Sequence, residues 1–184
     1  MARRAQRGFT LIELMVVLAI VVVLTLTLAT MSATGGEASP RAGAEQVTEF
    51  LQIARLRAEG NRQRHRVEIK NSTIEIQEAV DAAVKPVLGF ANPIGYRVVQ
   101  SMTVPGGVVI WNADLTVANS AGGANPAQNA ALTANIDFKP DGSVELPTAG
   151  ATGATIYITD PQQMSKYRIF IFKVTGNSMA RENW

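Results

Sequence analysis

The sequence predicts an α+β protein, with a long N-terminal helix packed on an antiparallel β-sheet, and three observations predict it. One uninterrupted apolar run occupies residues 9–31. After a break rich in Gly and Pro, Val47, Phe50, Leu51, Ala54 and Ala58 recur at helical spacing and line one face. Beyond residue 61 the chain alternates like strands, and a helix followed only by strands lays that helix on their sheet.

The first run reads FTLIELMVVLAIVVVLTLTLATM and contains a single charge, Glu13, with no Pro or Gly. At about 1.5 Å per residue its length matches a bilayer core of about 30 Å. Arg3, Arg4 and Arg7 precede it and no comparable cluster follows. The positive-inside rule therefore holds the N-terminus in the cytoplasm and sends the rest of the chain across the membrane. A cleavable secretory signal would have a shorter apolar region and a small-residue site at its far end, for which Ala29, Ser32 and Ala33 are weak candidates. A plain signal anchor is a second reading, and a buried core helix, disfavoured by length, is a third. Glu13 bears on the choice. A carboxylate at the centre of a membrane helix costs about 2.5–3.5 kcal/mol, less near the interface, and such residues tend to be functional and partnered. Its partner would be a cation from outside the chain or a free amine generated by cleavage before Phe9; the plain alternative seats it among headgroups.

Gly35-Gly36 and Ser39-Pro40 interrupt the helical pattern, which resumes from Arg41 and stops at Gly60-Asn61. The expectation is one long helix, bent near 35–40, whose second half packs on the globular part. Strands are expected at 66–70 and 73–77, joined across Asn71-Ser72, then at 96–102, 108–111, 135–138, 143–146, 155–159 and 168–174. Pro140-Asp141-Gly142-Ser143 has the residues of a turn. The last of these strands is apolar on both faces for most of its length, which predicts a central position. Residues 79–95 and 119–135 show no period and read as loops, the second nearly free of charge and aromatics.

Composition narrows the chemistry. There is no cysteine, which excludes disulfides, Cys–zinc sites and thiol catalysis. The net charge of +2 loses its meaning once Arg3, Arg4 and Arg7 are set aside, since 14 basic residues then face 15 acidic ones. The single histidine, His65, lies in Arg62-Gln63-Arg64-His65-Arg66, rules out a multi-His metal site and reads as an exposed polar residue. No G-x-S-x-G elbow, Walker loop or dinucleotide fingerprint occurs. Asp137 and Asp141 flank a turn without the oxygen-rich loop of a calcium site, so a turn aspartate is the better reading. No enzyme activity, cofactor or metal is expected. The remaining feature is a basic cluster, Arg55, Arg57, Arg62, Arg64, Arg66 and Lys70, against Glu59 and Glu68. On an extended segment Arg62, Arg64 and Arg66 would share a face and could contact phosphates of nucleic acid. The plain reading is a solvated helix end whose cations suit the helix dipole.

Arg7-Gly8-Phe9-Thr10-Leu11-Ile12-Glu13-Leu14 resembles the class III signal of type IV prepilins and type II secretion pseudopilins. The resemblance implies cleavage by prepilin peptidase between Gly8 and Phe9 and methylation of the new Phe9 amine. It also implies that Glu13 pairs with the N-terminal amine of a neighbouring subunit, two charges in an apolar filament core neutralising each other and setting register. Many major pilins carry a proline at the position of Thr30, which this chain lacks. Residues 54–59 leading into 66–69, together with Phe138-Lys139-Pro140-Asp141-Gly142-Ser143, resemble the GspH/FimT subgroup of minor pilins and pseudopilins, and Tyr167–Gly176 is similar to its final strand and following glycine. FimT-like proteins implicated in DNA uptake carry an arginine-bearing segment after that glycine, commonly opening Gly-Arg; here it reads Gly176-Asn177 with only Arg181 beyond.

What the resemblance implies is a minor pilin or pseudopilin, a structural subunit for assembly or priming of a type II secretion pseudopilus or type IV pilus. The alternative is a DNA-binding minor pilin for DNA uptake. The expected organisation is a leader at 1–8, a transmembrane assembly helix at 9–34, its amphipathic second half at 35–61, and a periplasmic β-rich domain at 62–184. Other pilins, prepilin peptidase and the bacterial inner membrane are the expected partners, with nucleic acid a lesser one. The protein would sit in that membrane as a single pass and then enter the filament.

Overall fold

A computed structural model describes residues 39–83, 85–90 and 93–184, together with 12, 15–18, 20 and 21. The chain divides into two units, Met1–Glu37 and Ala38–Trp184. In the first, the described residues are helical. The leader, Gly8, Phe9 and Glu13, and the expected bend at Gly35-Gly36 lie outside the described residues. Among the described residues no helix is long and apolar enough to cross a membrane.

The second unit begins with helix α1, Pro40–Asn61. Ser39 and Pro40, which break the helical pattern in the sequence, turn out to start this helix. The Ser39 side chain accepts from the Ala42 amide at 3.2 Å, and Pro40, with its φ fixed and no N–H to lose, opens the first turn. Ala44, Val47, Phe50, Leu51, Ala54 and Ala58 form its buried stripe. The helix ends at the expected Gly60-Asn61 stop. It runs through Asn61 and closes on Arg62, which takes the left-handed conformation (φ 51°, ψ 41°) and donates its amide back to Ala58 and Glu59 carbonyls.

Among the described residues nine strands follow: β1 His65–Lys70, β2 Thr73–Val80, β3 Gly95–Thr103, β4 Val109–Asp114, β5 Thr133–Phe138, β6 Val144–Glu145, β7 Gly153–Thr159, β8 Lys166–Phe172 and β9 Ser178–Glu182. They form two antiparallel sheets rather than one, in the orders β3-β2-β1-β5-β6 and β4-β7-β8-β9. Period-2 alternation says that a segment is a strand but not which sheet it joins, so the split was invisible in sequence. The core lies where α1 meets both sheets and includes Leu51, Val67, Ile76, Ile136, Phe138 and Ile156, all essentially inaccessible to solvent.

Two corrections concern the C-terminal region. β8 is central, as its two apolar faces predict, but it is not the last strand. β9 pairs antiparallel with it, Ile169 opposite Ala180 and Ile171 opposite Ser178. Its sequence SMARE buries only Ser178 and so shows no alternation. Val174, read as part of the preceding strand, lies exposed beyond its end.

The long loop before β5 is held in place along its length. Arg168, buried on β8, donates from Nε to the Asn119 carbonyl at 2.9 Å and from Nη2 to Ser120 at 3.1 Å, and from Nη1 to the carbonyls of Glu182 and Asn183. Further along, Trp111 Nε1 donates to the Pro126 carbonyl and Asn112 to that of Ala127, both at 2.8 Å. Asn71, in the β1–β2 turn, donates to Asn129 and accepts from the Leu132 amide. Gly122 adopts φ 88°, and a Cβ there would fall 2.8 Å from Arg168 Nη1. Removing the guanidinium orphans several carbonyls at once. Arg168→Met is therefore expected to cost about 2–3 kcal/mol and to open 119–132 to limited proteolysis, while unchanged cleavage and stability would contradict this reading of the loop.

Candidate interaction elements

Of the expected site residues, Gly8, Phe9 and Glu13 lie outside the described residues, so the geometry bears on the arginines alone. The premise that Arg62, Arg64 and Arg66 share one extended face does not hold. Arg62 is the left-handed cap of α1 and is exposed, so the extended backbone begins only after it. Arg64 and Arg66 do project to one side of the five-stranded sheet, but both are engaged there. Arg64 is 8% exposed; its Nη1 meets Glu145 at 2.7 Å and its Nη2 donates to the Phe90 carbonyl at 3.2 Å. Arg66 grips Asp137 with two hydrogen bonds, from Nε at 2.6 Å and Nη2 at 2.8 Å, while its guanidinium stacks 3.8 Å from the Tyr96 ring centre. The planar fork of arginine suits both contacts together.

Tyr96 completes this group, its hydroxyl donating to Asp137 Oδ2 at 3.0 Å. Burial, then the neighbouring Asp137 charge, pushes the phenol up to about 12. It therefore stays protonated and keeps donating throughout the physiological range. Lys70 sits between Glu68 at 3.1 Å and Glu75 at 3.5 Å, and Arg55 pairs with Glu59 at 2.9 Å. Of the basic cluster, this leaves Arg57 and Arg62 without an acidic partner among the described residues. The local excess of positive charge in the sequence is thus mostly compensated by carboxylates arriving from β2, β5 and β6. Register places Asp137 directly opposite Arg66, 71 residues away in sequence, and no local spacing could have announced it.

His65 is a further correction. It is not an exposed polar residue but 1% exposed, the first inward-facing position of β1, in step with Val67 and Ile69. Starting the strand one residue early would have revealed this. Its Nδ1 lies 3.2 Å from the Gln63 carbonyl, and burial lowers the imidazole pKa. Asp141 is the turn residue expected, its carboxylate accepting from the Ser143 amide at 2.9 Å and hydroxyl at 2.6 Å. Those bonds hold it below its ordinary value. Among the described residues no group of three or more His, Cys, Asp or Glu is placed to hold a metal ion.

The His65 shift fixes the sign of a pH effect. Its folded pKa lies below the unfolded value of about 6.5, so the unfolded chain takes up the proton first. The contribution of His65 to stability is complete above that value and is lost as pH falls below it. Because the chain has one histidine, its imidazole resonance is directly assignable; a titration midpoint below 6.5 is expected, and one at or above 6.5 would contradict the buried placement.

Comparison with known proteins bears first on the N-terminus. The family model described as the prokaryotic N-terminal methylation motif matches residues 3–29. No curated protein matches the chain at a significant level. Among solved structures, the chain is similar to the minor pseudopilin EpsH of the Vibrio cholerae type 2 secretion system, at 16% identity and TM-score 0.46, covering 80% of this chain and 96% of that one. It is also similar to the Pseudomonas aeruginosa type IV minor pilin FimU, at 14% identity and TM-score 0.46, covering 77% of this chain and 91% of that one. Both structural likenesses are remote. What the comparisons establish for this chain is the prokaryotic N-terminal methylation motif over residues 3–29.

Proposed function

We propose that the protein is a minor pilin or pseudopilin of the GspH/FimT kind, a non-enzymatic structural subunit that assembles or primes a type II secretion pseudopilus or a type IV pilus. The observation that carries this reading is the methylation motif over residues 3–29, which frames Gly8-Phe9 and Glu13 in an apolar run. In this reading residues 1–8 are the leader, prepilin peptidase cleaves before Phe9, and residues 9–34 cross the inner membrane once. Residues 35–61 continue the helix, and 62–184 lie in the periplasm until the subunit enters the filament. Glu13 meets the Phe9 amine of a neighbouring subunit. Two opposite charges stranded in apolar surroundings each cost several kcal/mol alone, so their pairing fixes axial register rather than adding bulk stability.

DNA capture through Arg62, Arg64 and Arg66 finds less support in the geometry. Two of the three guanidiniums are held by carboxylates, so phosphates would have to displace Asp137 and Glu145.

Glu13→Ala is expected to abolish or sharply reduce incorporation of the protein into sheared filaments, scored by immunoblot. Its level in the membrane fraction should stay the same, because the substitution leaves the second unit intact. Incorporation at the wild-type level would sink the reading. A clean deletion strain, scored for surface pili and for secreted exoproteins side by side, separates the two systems. Loss of secretion with normal piliation assigns the secretion machine; loss of pili assigns the pilus.

A further inference from the structure

We propose that the loop at 116–131 and the segment at 182–184 are two halves of one strap, which opens and closes as a unit over the outer face of β7 and β8. The inference rests on the second unit alone and stands apart from the pilin reading.

β7 is buried along its whole length, and two different layers bury it. Ala154, Ile156 and Ile158 face the core shared with α1. The alternate positions, Thr155 and Tyr157, face outward beside Arg168 of β8, and all three are nonetheless buried. Their cover is irregular backbone. The Thr155 hydroxyl donates to the Val117 carbonyl at 2.7 Å and accepts the Asn119 amide at 2.8 Å. Trp184 lies against Tyr157, ring centres 5.4 Å apart, and its Nε1 donates to the Ile158 carbonyl at 3.4 Å.

The loop covers buried residues, yet none of residues 116–131 is itself buried. Nor does it fill the space beside β4, where a hollow of about 470 Å³ is lined by Asn112, Asp114, Asn125, Pro126 and Tyr157. Polar contacts therefore hold it, and a segment that buries no side chain of its own lies at the low end of local stability. Three side chains contact both halves. Arg168 binds the carbonyls of Asn119 and Ser120 in one and of Glu182 and Asn183 in the other. Trp111 donates to the Pro126 carbonyl, and its ring centre lies 6.3 Å from that of Trp184. The Tyr157 hydroxyl accepts from Asn119 Nδ2 at 3.4 Å, and its ring packs on Trp184.

Sharing anchors couples the halves. Lifting either one leaves Arg168 with only part of its hydrogen bonds and takes cover from Trp111 and Tyr157. The half that remains is then held more weakly, so the two open together more readily than either opens alone. Opening leaves the core intact, because Ala154, Ile156, Ile158, Ile169 and Ile171 face away from the strap. What it uncovers is Thr155, Tyr157 and Arg168.

The test is amide hydrogen exchange on the full chain in phosphatidylcholine nanodiscs. The Asn129 amide, donating to the Trp111 carbonyl at 2.9 Å, reads the loop, and the Asn183 amide, donating to the Lys166 carbonyl at 2.7 Å, reads the second half. Trp184→Ala alters only the second half, and Thr155→Val removes a hydroxyl that anchors only the loop. Each variant is expected to speed exchange at both amides at least tenfold. Unchanged exchange in β1 certifies the fold, and Trp184→Leu or Thr155→Ala replaces a variant that disturbs it. Acceleration confined to the half that was altered would reveal two independent segments and overturn the proposal. No acceleration in either half would overturn it too, since the shared contacts would then hold nothing.

Discussion

The second unit depends on one constraint, that a single helix must serve two sheets. α1 meets β1 and β5 of one sheet and β7, β8 and β9 of the other, and it can do so only if its buried stripe is thin where the backbones approach. Ala44, Ala54 and Ala58 supply the thin positions, and Phe50 and Leu51 fill the wider space between. Gly43 marks the limit of this economy, since a Cβ there would lie 2.8 Å from both γ carbons of Val108. Close packing of this kind tolerates little added volume. The helix is therefore less a lid on a finished sheet than the element that lets the two sheets share one core.

The charges follow from that arrangement. Bringing β5 beside β1 sets Asp137 opposite Arg66, and the short β6 sets Glu145 within reach of Arg64. The result is a polar cluster on one side of the five-stranded sheet, with Tyr96 bridging to Asp137 and stacked under Arg66. Because both arginines are partly or wholly buried, removing either carboxylate would strand a cation, which costs far more than the pair contributes. The cluster that the sequence offered as a solvated helix end, or less plainly as a phosphate-binding strip, is in this geometry mostly a set of ion pairs. Arg168 shows the complementary case, a buried guanidinium with carbonyls alone as partners, used to fasten the long loop and the segment after β9.

Much of this was legible from the residues. The α1 stripe, the β1–β2 hairpin, the Asp141 turn and the central position of β8 all follow from periodicity and turn chemistry, which are local. The split into two sheets, the pairing of Arg66 with Asp137 and the fastening of 119–132 are products of register between distant segments, and no local pattern encodes them. β9 was missed because SMARE, mostly exposed, has no apolar alternation to read. His65 was misplaced by a one-residue error in where β1 begins, and in a strand one residue is the difference between two faces. At the N-terminus the motif itself carried the reading, and there the sequence is the primary witness.

The central claim is that an assembly segment cut free at Phe9 precedes this α+β unit. The most direct measurement is the mass of the N-terminal peptide of the protein purified from cells that contain prepilin peptidase. The account predicts a chain that begins at Phe9 with one methyl group on its amine. A chain that begins at Met1, or one cut at the small residues near Ala29–Ala33, would contradict it.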